Sequence, residues 1–196
     1  MPLIKDIHME FNPRKYFAAH TDLFQKIDVS AIERAIELVE TKFEAGKKII
    51  TCGNGGSATT SSHMITDWNK MVTLATGKKF YGYSLVDNVG LITAYANDIN
   101  YSKVFSGQLK SILDKEDLLI VLSGSGNSGN IIEALHFAND LRADTLAIVG
   151  FDGGEARKLA KYCIHIPSFD MQLCEDIHLM INHMVMKKLC GLDIKN

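Results

Sequence analysis

Excess positive charge, long apolar runs and an export signal are all missing from this sequence. Its 21 Lys and Arg residues are matched by 23 Asp and Glu residues, giving a formal net charge of −2. It therefore lacks the basic character with which nucleic-acid-binding proteins contact phosphates. No stretch approaches the about 20 apolar residues of a membrane span, and Lys5 and Asp6 interrupt the first apolar residues. We expect neither nucleic acid nor a membrane as a partner, and no export.

Cysteine is also scarce. The four cysteines, Cys52, Cys163, Cys174 and Cys190, form no CxxC or CxxxxC pair, which argues against a zinc ribbon or a disulfide framework. We interpret them as reduced thiols of a cytoplasmic protein. No internal repeat or low-complexity linker is present, and 196 residues that are 46% hydrophobic supply one sizeable core rather than two. One domain is therefore expected.

Helical and strand-like patterns alternate along the chain. Two helical patterns come first, over residues 13–27 and 31–45, and Ser30 with Glu33 predicts a capping box at the start of the second. Short β-prone runs without polar alternation follow, as is typical of strands covered on both faces. The predicted strands are 48–52, 80–85, 118–122, 145–149 and 163–166, and the predicted helices among them are 89–96, 102–113, 130–141 and 171–190. This alternation predicts an α/β fold with a doubly wound parallel sheet.

Two glycine- and serine-rich loops follow predicted strands, where doubly wound sheets bind their ligands. They are CGNGGS at 52–57 and LSGSGNS at 122–128. Either loop alone is also explained as a tight packing turn. The hydroxyls of Ser123, Ser125 and Ser128, however, need partners that a turn does not demand. Since neither loop is a Walker A or a GxGxxG motif, we predict a phosphate site without a nucleotide.

Acidic and histidine residues recur on the helices beside these loops. His63 and Asp67 are four residues apart, which places both side chains on one helix face. The last helix carries Glu175, His178 and His183 among apolar residues. His178 and His183 taken singly are better explained as core or interface histidines. Two imidazoles and two carboxylates together suit zinc or another divalent ion, if the two helices meet.

CGNGGS, the His63 to Asp67 pair, SGSGNS and EDIHLMINH together resemble the phosphoheptose isomerases. These are sugar isomerase (SIS) proteins that convert sedoheptulose 7-phosphate to D-glycero-D-manno-heptose 7-phosphate, a step of heptose biosynthesis for lipopolysaccharide or capsule. The resemblance covers nearly the whole chain. It implies one SIS domain over 1–196, a flavodoxin-like three-layer sandwich, with oligomerisation helices in 1–46 and the sheet and site in 47–196. It also implies a homotetramer whose sites are shared between subunits.

The resemblance assigns roles by position. The residues implied to line the sugar are Asn54, Gly55, Gly56, Ser57, Asn97 and Asp98, with Glu175 shared with the metal, and those implied to hold the phosphate are Ser123, Gly124, Ser125 and Ser128. The family's metal ligands, two His, a Glu and a Gln, correspond to His63, His183, Asp67 and Glu175. Asp67 is thus one methylene shorter than the family's glutamate base, and Glu175 is an anion in place of an amide. An arginine of the family is also missing near Lys70 and Met71.

For the chemistry, the resemblance implies proton transfer through an enediol. We expect Asp67 or Glu175 as the base, His183 as its partner, and a divalent metal, zinc before manganese or iron, on the sugar oxygens. The departures at Asp67 and Glu175 leave open an isomerase or related enzyme for another phosphosugar. A non-catalytic SIS module that binds a protein partner is the alternative from a different class. Such a module has no need of four acidic and histidine residues on two helices.

Overall fold

The computed structural model describes residues 11–195; residues 1–10 and 196 of the predicted domain lie outside the described part. Five strands form one parallel sheet. They are β1 (Ile49–Gly53), β2 (Gly82–Ser84), β3 (Leu118–Ser123), β4 (Asp144–Val149) and β5 (Tyr162–His165). Their order is β2-β1-β3-β4-β5, the flavodoxin-like doubly wound order. The predicted fold class is confirmed.

Helices cover both faces of this sheet. They are α1 (Pro13–Phe24), α2 (Val29–Glu44), α3 (Gly56–Asp67), α4 (Thr73–Thr76), α5 (Val89–Asp98), α6 (Ser106–Ile112), α7 (Gly129–Asp140), α8 (Gly154–Leu159) and α9 (Met171–Leu189). A π-helical turn, Trp68–Val72, joins α3 to α4, and a 3₁₀ turn, Tyr101–Lys103, precedes α6. Within the described residues, no helix is both long enough and apolar enough to cross a membrane.

Alternate residues of the central strands divide the core into two clusters. Ile49 of β1 packs with α1, α2, α3 and α9 on one face. Its neighbour Ile50 packs with α6, α7 and α8 on the other face. β1 and β3 are buried along their whole length, as expected for strands covered by helices on both sides. The result is three layers, with the two central strands held rigidly between them.

Local features depart from the sequence prediction at several places. The capping box is wrong: α2 begins at Val29, so Ser30 lies inside its first turn, and the N-cap residue is Asp28, which makes no side-chain cap bond. The Asp28 carboxylate instead accepts a hydrogen bond from Arg34 at 3.4 Å. The predicted helix over 102–113 is divided into a 3₁₀ turn and α6, and α8 is not foreseen.

Candidate active site

The two glycine- and serine-rich loops leave the sheet side by side. Chain order reverses between β1 and β3, and Gly53 at the end of β1 pairs with Leu122 near the end of β3. Such a reversal creates a crevice at the carboxyl ends of the strands. A cavity of about 290 Å³ lies there, lined by Asn54, Gly55, Gly56, Ser57, Leu122, Ser123, Gly124, Ser125, Ser128, Met171 and Glu175. The structure thus brings both loops and Glu175 to one cavity, and adds Met171.

Neutral hydrogen-bond donors dominate the serine side of this cavity. The Gly126 amide donates to Ser123 Oγ at 3.0 Å, and the Asn127 amide donates to Ser125 Oγ at 3.2 Å. Ser128 is the N-cap residue of α7, yet its side chain makes no cap bond, so its hydroxyl is available to a ligand. Within residues 11–195, no lysine or arginine lines the cavity. Hydroxyls and the N-terminus of α7 are therefore the groups that would bind an anion here.

The second of the two loops, residues 122–128, is called the serine loop below. It packs against the turn before α8. Asn127 Oδ1 accepts from the Glu155 amide at 3.0 Å, and its Nδ2 donates to the Ser125 carbonyl at 3.1 Å. Gly126 has a φ of +66°, and a Cβ there would overlap the Gly153 carbonyl. Because the loop touches neighbouring backbone this closely, α8 fixes its conformation, although the sequence pattern did not reveal that helix.

Asn54, in the first loop, is held by two residues that the sequence did not single out. Asn54 Nδ2 donates to Asn130 Oδ1 at 2.9 Å, while Asn130 Nδ2 donates back to Asn54 Oδ1 at 2.8 Å. The Tyr101 hydroxyl donates to the same Asn54 Oδ1 at 3.0 Å. A carboxamide nitrogen has two hydrogens, so one N–H of Asn54 is left for the cavity.

Glu175 contacts the start of α3. A Cβ built on Gly56 would collide with both Glu175 carboxylate oxygens, so a larger residue here would displace the Glu175 carboxylate from its present position. Gly56 is the first residue of α3, and the positive end of a helix dipole favours a carboxylate. Glu175 therefore brings one negative charge to a cavity whose other polar groups are neutral.

Three predicted metal ligands lie together on the adjoining parts of α3 and α9. One donor atom each from His63, Asp67 and His183 lies within 4.8 Å of the other two. Asp67 Oδ2 is 3.3 Å from His63 Nε2 and 3.8 Å from His183 Nε2. Both histidine side chains are nearly half exposed, 44% and 47%, so a ligand can reach them. Glu175, the fourth predicted ligand, lies outside this group.

Asp67 also accepts a hydrogen bond from a buried amide. Asn182 Nδ2 donates to Asp67 Oδ2 at 2.9 Å, and Asn182 is fully buried. The π-helical turn begins directly after Asp67, and the Trp68 indole donates to the Asn182 carbonyl at 3.4 Å. Single π-helical turns inside helices are frequent at functional sites. Two hydrogen bonds, from Asn182 to Asp67 and from Trp68 to the Asn182 carbonyl, therefore join the end of α3 and the following turn to α9.

Other predicted residues lie apart from the cavity and from the three-ligand group. Asn97 and Asp98 are exposed at the end of α5, where they hydrogen-bond to each other at 2.9 Å. His178 is fully buried, and among the described residues neither ring nitrogen has a hydrogen-bond partner. Burial lowers the pKa of His178 to about 4, so this ring is neutral near pH 7. His178 fits the core-histidine interpretation, whereas His183 does not.

The cavity and the three-ligand group are two ends of one surface. His63 follows Gly56 by seven residues on α3, and His183 follows Glu175 by eight on α9, so each pair shares roughly one helix face. At about 1.5 Å per residue, both separations are about 10–12 Å along the helix. An elongated ligand that contacts both ends would have to span a comparable distance.

Sequence comparisons relate the chain to known proteins. The SIS domain family model matches residues 15–150. A phosphoheptose isomerase from Aliarcobacter butzleri is 33% identical over 175 residues, which are 87% of this chain and 92% of that protein. A phosphoheptose isomerase from Rhodospirillum rubrum is 30% identical over 186 residues, 94% of this chain and 96% of that protein.

Solved structures agree with these comparisons. The phosphoheptose isomerase of Neisseria gonorrhoeae superposes with a TM-score of 0.83 at 27% identity, over 91% of this chain and 97% of that one. A phosphoheptose isomerase from Francisella tularensis has the same fold, with a TM-score of 0.84 over 91% of this chain and 96% of that one. The overall fold is therefore shared with proteins described as phosphoheptose isomerases.

Proposed function

Because the chain belongs to the SIS domain family and, within it, to the phosphoheptose isomerases, we propose that it converts sedoheptulose 7-phosphate to D-glycero-D-manno-heptose 7-phosphate. The observation that carries this proposal is the pairing of a cavity lined by serine hydroxyls with a His/Asp/His group about 10 Å further along α3 and α9. The phosphate and the reacting carbonyl of a linear sugar phosphate lie at opposite ends of the molecule. The cavity would then bind the phosphate, and the His/Asp/His group would act on the carbonyl end.

Substrate binding starts at the phosphate. Ser123, Ser125 and Ser128 donate hydroxyl hydrogens to it, together with the first amides of α7. Asn54 offers one N–H to a sugar hydroxyl, since its other polar groups are already bonded. Gly56, which carries no side chain, leaves the room that Glu175 occupies, and Glu175 accepts hydrogen bonds from sugar hydroxyls. The open sugar chain is thereby directed along α3 and α9.

Proton transfer takes place at the far end. Asp67 removes a proton from the carbon beside the carbonyl, and His183 stabilises the enediol oxygen and assists return of the proton to the neighbouring carbon. Both side chains are near each other and partly exposed. Glu175, the other predicted base, lies in the phosphate cavity, which supports Asp67 for this role. Loss of such a group lowers a rate by about 10²- to 10⁴-fold.

The donor set of His63, Asp67 and His183 fits a divalent metal, and we propose zinc. Two imidazoles and one carboxylate with a further position open is the arrangement of catalytic zinc sites. When bound there, the ion would polarise the carbonyl and hydroxyl oxygens of the sugar. Glu175 as a fourth ligand remains a prediction. Measuring bound metal in protein purified without chelator, and again in His63→Ala, tests the assignment; metal-free protein of full activity contradicts it.

The activity test is an assay of the purified protein with sedoheptulose 7-phosphate and a panel of other ketose phosphates. Aldose formation from the heptulose alone, lost in Asp67→Asn and His183→Ala proteins of unchanged melting temperature, supports the proposal. Conversion of another ketose phosphate would assign a different sugar to the same site. No conversion of any of them would favour the non-catalytic SIS module.

We also propose a cytoplasmic homotetramer that uses the helices within 1–46. Phe17 is 72% exposed and Phe24 is 42% exposed. An apolar groove of about 190 Å³ between the N-terminal helices and α9 is lined by Phe24, Ile27, Val29, Ile32, Ile177, Met180, Ile181 and Met184. Closed symmetric assembly would cover these residues. Because the resemblance places Asn97 and Asp98 at the sugar and both are exposed here, we propose that they contact the site of a neighbouring subunit. Light scattering at micromolar concentration tests it: a monomeric mass is the contrary result.

A further inference from the structure

Asn182 is a polar residue in an apolar environment. It lies on α9 between Ile181 and His183, and its side chain is fully buried. Its Nδ2 donates to Asp67 Oδ2 at 2.9 Å, while its Oδ1 is buried and has no partner among the described residues. A buried acceptor without a partner destabilises a folded protein. An apolar residue of similar size would fill this position at lower cost, so the stability of the core does not explain the amide.

The amide acts on one atom of the proposed base. Asp67 Oδ2 is approached by His63 at 3.3 Å and by His183 at 3.8 Å, and Asn182 is nearer than either at 2.9 Å. Both histidine side chains are nearly half exposed, whereas Asn182 is immobilised in the core. Among the described residues, Asp67 has no lysine or arginine within salt-bridge distance, and these two histidines are its neighbouring basic side chains. Asn182 is therefore the rigid contact that determines the direction of the carboxylate.

We propose that Asn182 is a positioning residue that holds the Asp67 carboxylate toward His63 and His183. This inference rests on the role assigned to Asp67 under the proposed function. An aspartate carries its carboxylate on a single methylene, so its position depends on the backbone of α3 and on whatever fixes its rotamer. Hydrogen bonds from groups behind the reacting residues commonly provide this fixation.

The neutral character of the amide suits the task. A lysine or arginine at position 182 would also orient the carboxylate, but its positive charge would reduce the basicity of Asp67 and repel a divalent cation. An amide donates the same hydrogen bond without a net charge. Asn182 therefore orients the carboxylate while leaving its negative charge available to a proton or a metal.

The test compares Asn182→Leu with a matched buried amide. Gln108 is also buried, donating to the Leu85 and Val104 carbonyls on the opposite face of the sheet. Asn182→Leu should lower kcat by about 10- to 100-fold and weaken zinc binding in a chelator competition. KM should be nearly unchanged, and the melting temperature should be unchanged or higher. Gln108→Leu should show the reverse pattern, with a lower melting temperature and an unchanged kcat. Asn182→Ala provides the same kinetic readout if leucine does not fit.

A double-mutant cycle separates this inference from the proposed function. If Asn182 acts through Asp67, Asp67→Asn with Asn182→Leu should be no slower than Asp67→Asn alone. Additive losses, or an unchanged kcat and zinc affinity in Asn182→Leu while Asp67→Asn is inactive, would overturn the positioning role and leave the proposed base in place. Full activity in Asp67→Asn would instead remove the base itself.

Discussion

Asn54 and Asn130 exchange two carboxamide hydrogen bonds, at 2.9 and 2.8 Å, across the gap between the first loop and the start of α7. The pair links the two halves of the cavity, because Asn54 follows β1 and Asn130 follows the serine loop. Asn130 is 2% exposed. An exchange of this kind determines which way each amide faces, so it also determines which group Asn54 presents to a ligand.

Replacing Asn130 should therefore affect substrate binding rather than folding alone. In Asn130→Ala, Asn54 loses both bonds to its partner, and its carboxamide is held only by the hydrogen bond from the Tyr101 hydroxyl. We expect KM to rise by about tenfold, equivalent to about 1.4 kcal/mol, with a smaller rise in Tyr101→Phe, which removes one donor to the same oxygen. Steady-state kinetics measure both. An unchanged KM in Asn130→Ala would show that the pair has only a structural role.

Ser125→Ala with Ser128→Ala should weaken phosphate binding. Each lost hydroxyl removes a hydrogen bond worth about 0.5–1.5 kcal/mol, so the double variant should bind inorganic phosphate about 5- to 150-fold less tightly by calorimetry. Among the described residues, no lysine or arginine lines the cavity, so added salt should not weaken phosphate binding. Ser111→Ala, whose hydroxyl bonds to the Gln108 carbonyl on α6, is the control. Unchanged affinity in the double variant would mean that the loop is only a turn.

Glu175→Gln should bind phosphorylated ligands more tightly. The carboxylate lines the same cavity as the serine loop, and its removal relieves repulsion of a phosphate, worth about 1 kcal/mol for two charges 4 Å apart in water. We expect about a fivefold lower dissociation constant for inorganic phosphate. A higher activity in this variant would indicate that the negative charge of Glu175 lowers the activity of the site without being essential to it. Weaker phosphate binding would contradict the account of the cavity.

His178 should make the protein sensitive to acid. Burial holds its pKa at about 4 in the folded state, against about 6.5 in an unfolded chain. The unfolded state therefore binds the extra proton first, so stability falls as the pH drops from about 6.5 to about 4, by roughly 3 kcal/mol in all. Urea unfolding of the wild type and of His178→Leu at pH 7 and pH 4.5 should show a smaller loss in the variant. Equal losses would indicate that other groups dominate.

The sequence predicts the sheet well because its signals are local. Apolar runs such as Leu118–Ser123 are buried on both faces and allow few alternatives. The serine loop could be found for the same reason, since its residues are consecutive. Short or irregular elements such as α8 and the π-helical turn after Asp67 carry no periodic signal long enough to detect.

Contacts between distant segments are harder to predict from the sequence. Tyr101, Asn130 and Asn182 each bond to a residue at least 47 positions away, and no spacing rule links them. Asn182 nevertheless leaves one trace in the sequence: it is an amide within an apolar stretch of α9, immediately before His183. Asn97 and Asp98 show the reverse case, because the resemblance places them at the sugar whereas one subunit leaves them outside the cavity.

The last helix contributes Met171, Glu175, Asn182 and His183 to a site whose other residues all precede it. During synthesis, the serine loop and the strands that carry it leave the ribosome well before α9 does. A nascent chain that has already formed its anion-binding loops consequently still lacks the partner of His63 and Asp67. Catalytic competence is acquired in a late step, when α9 docks beside α3.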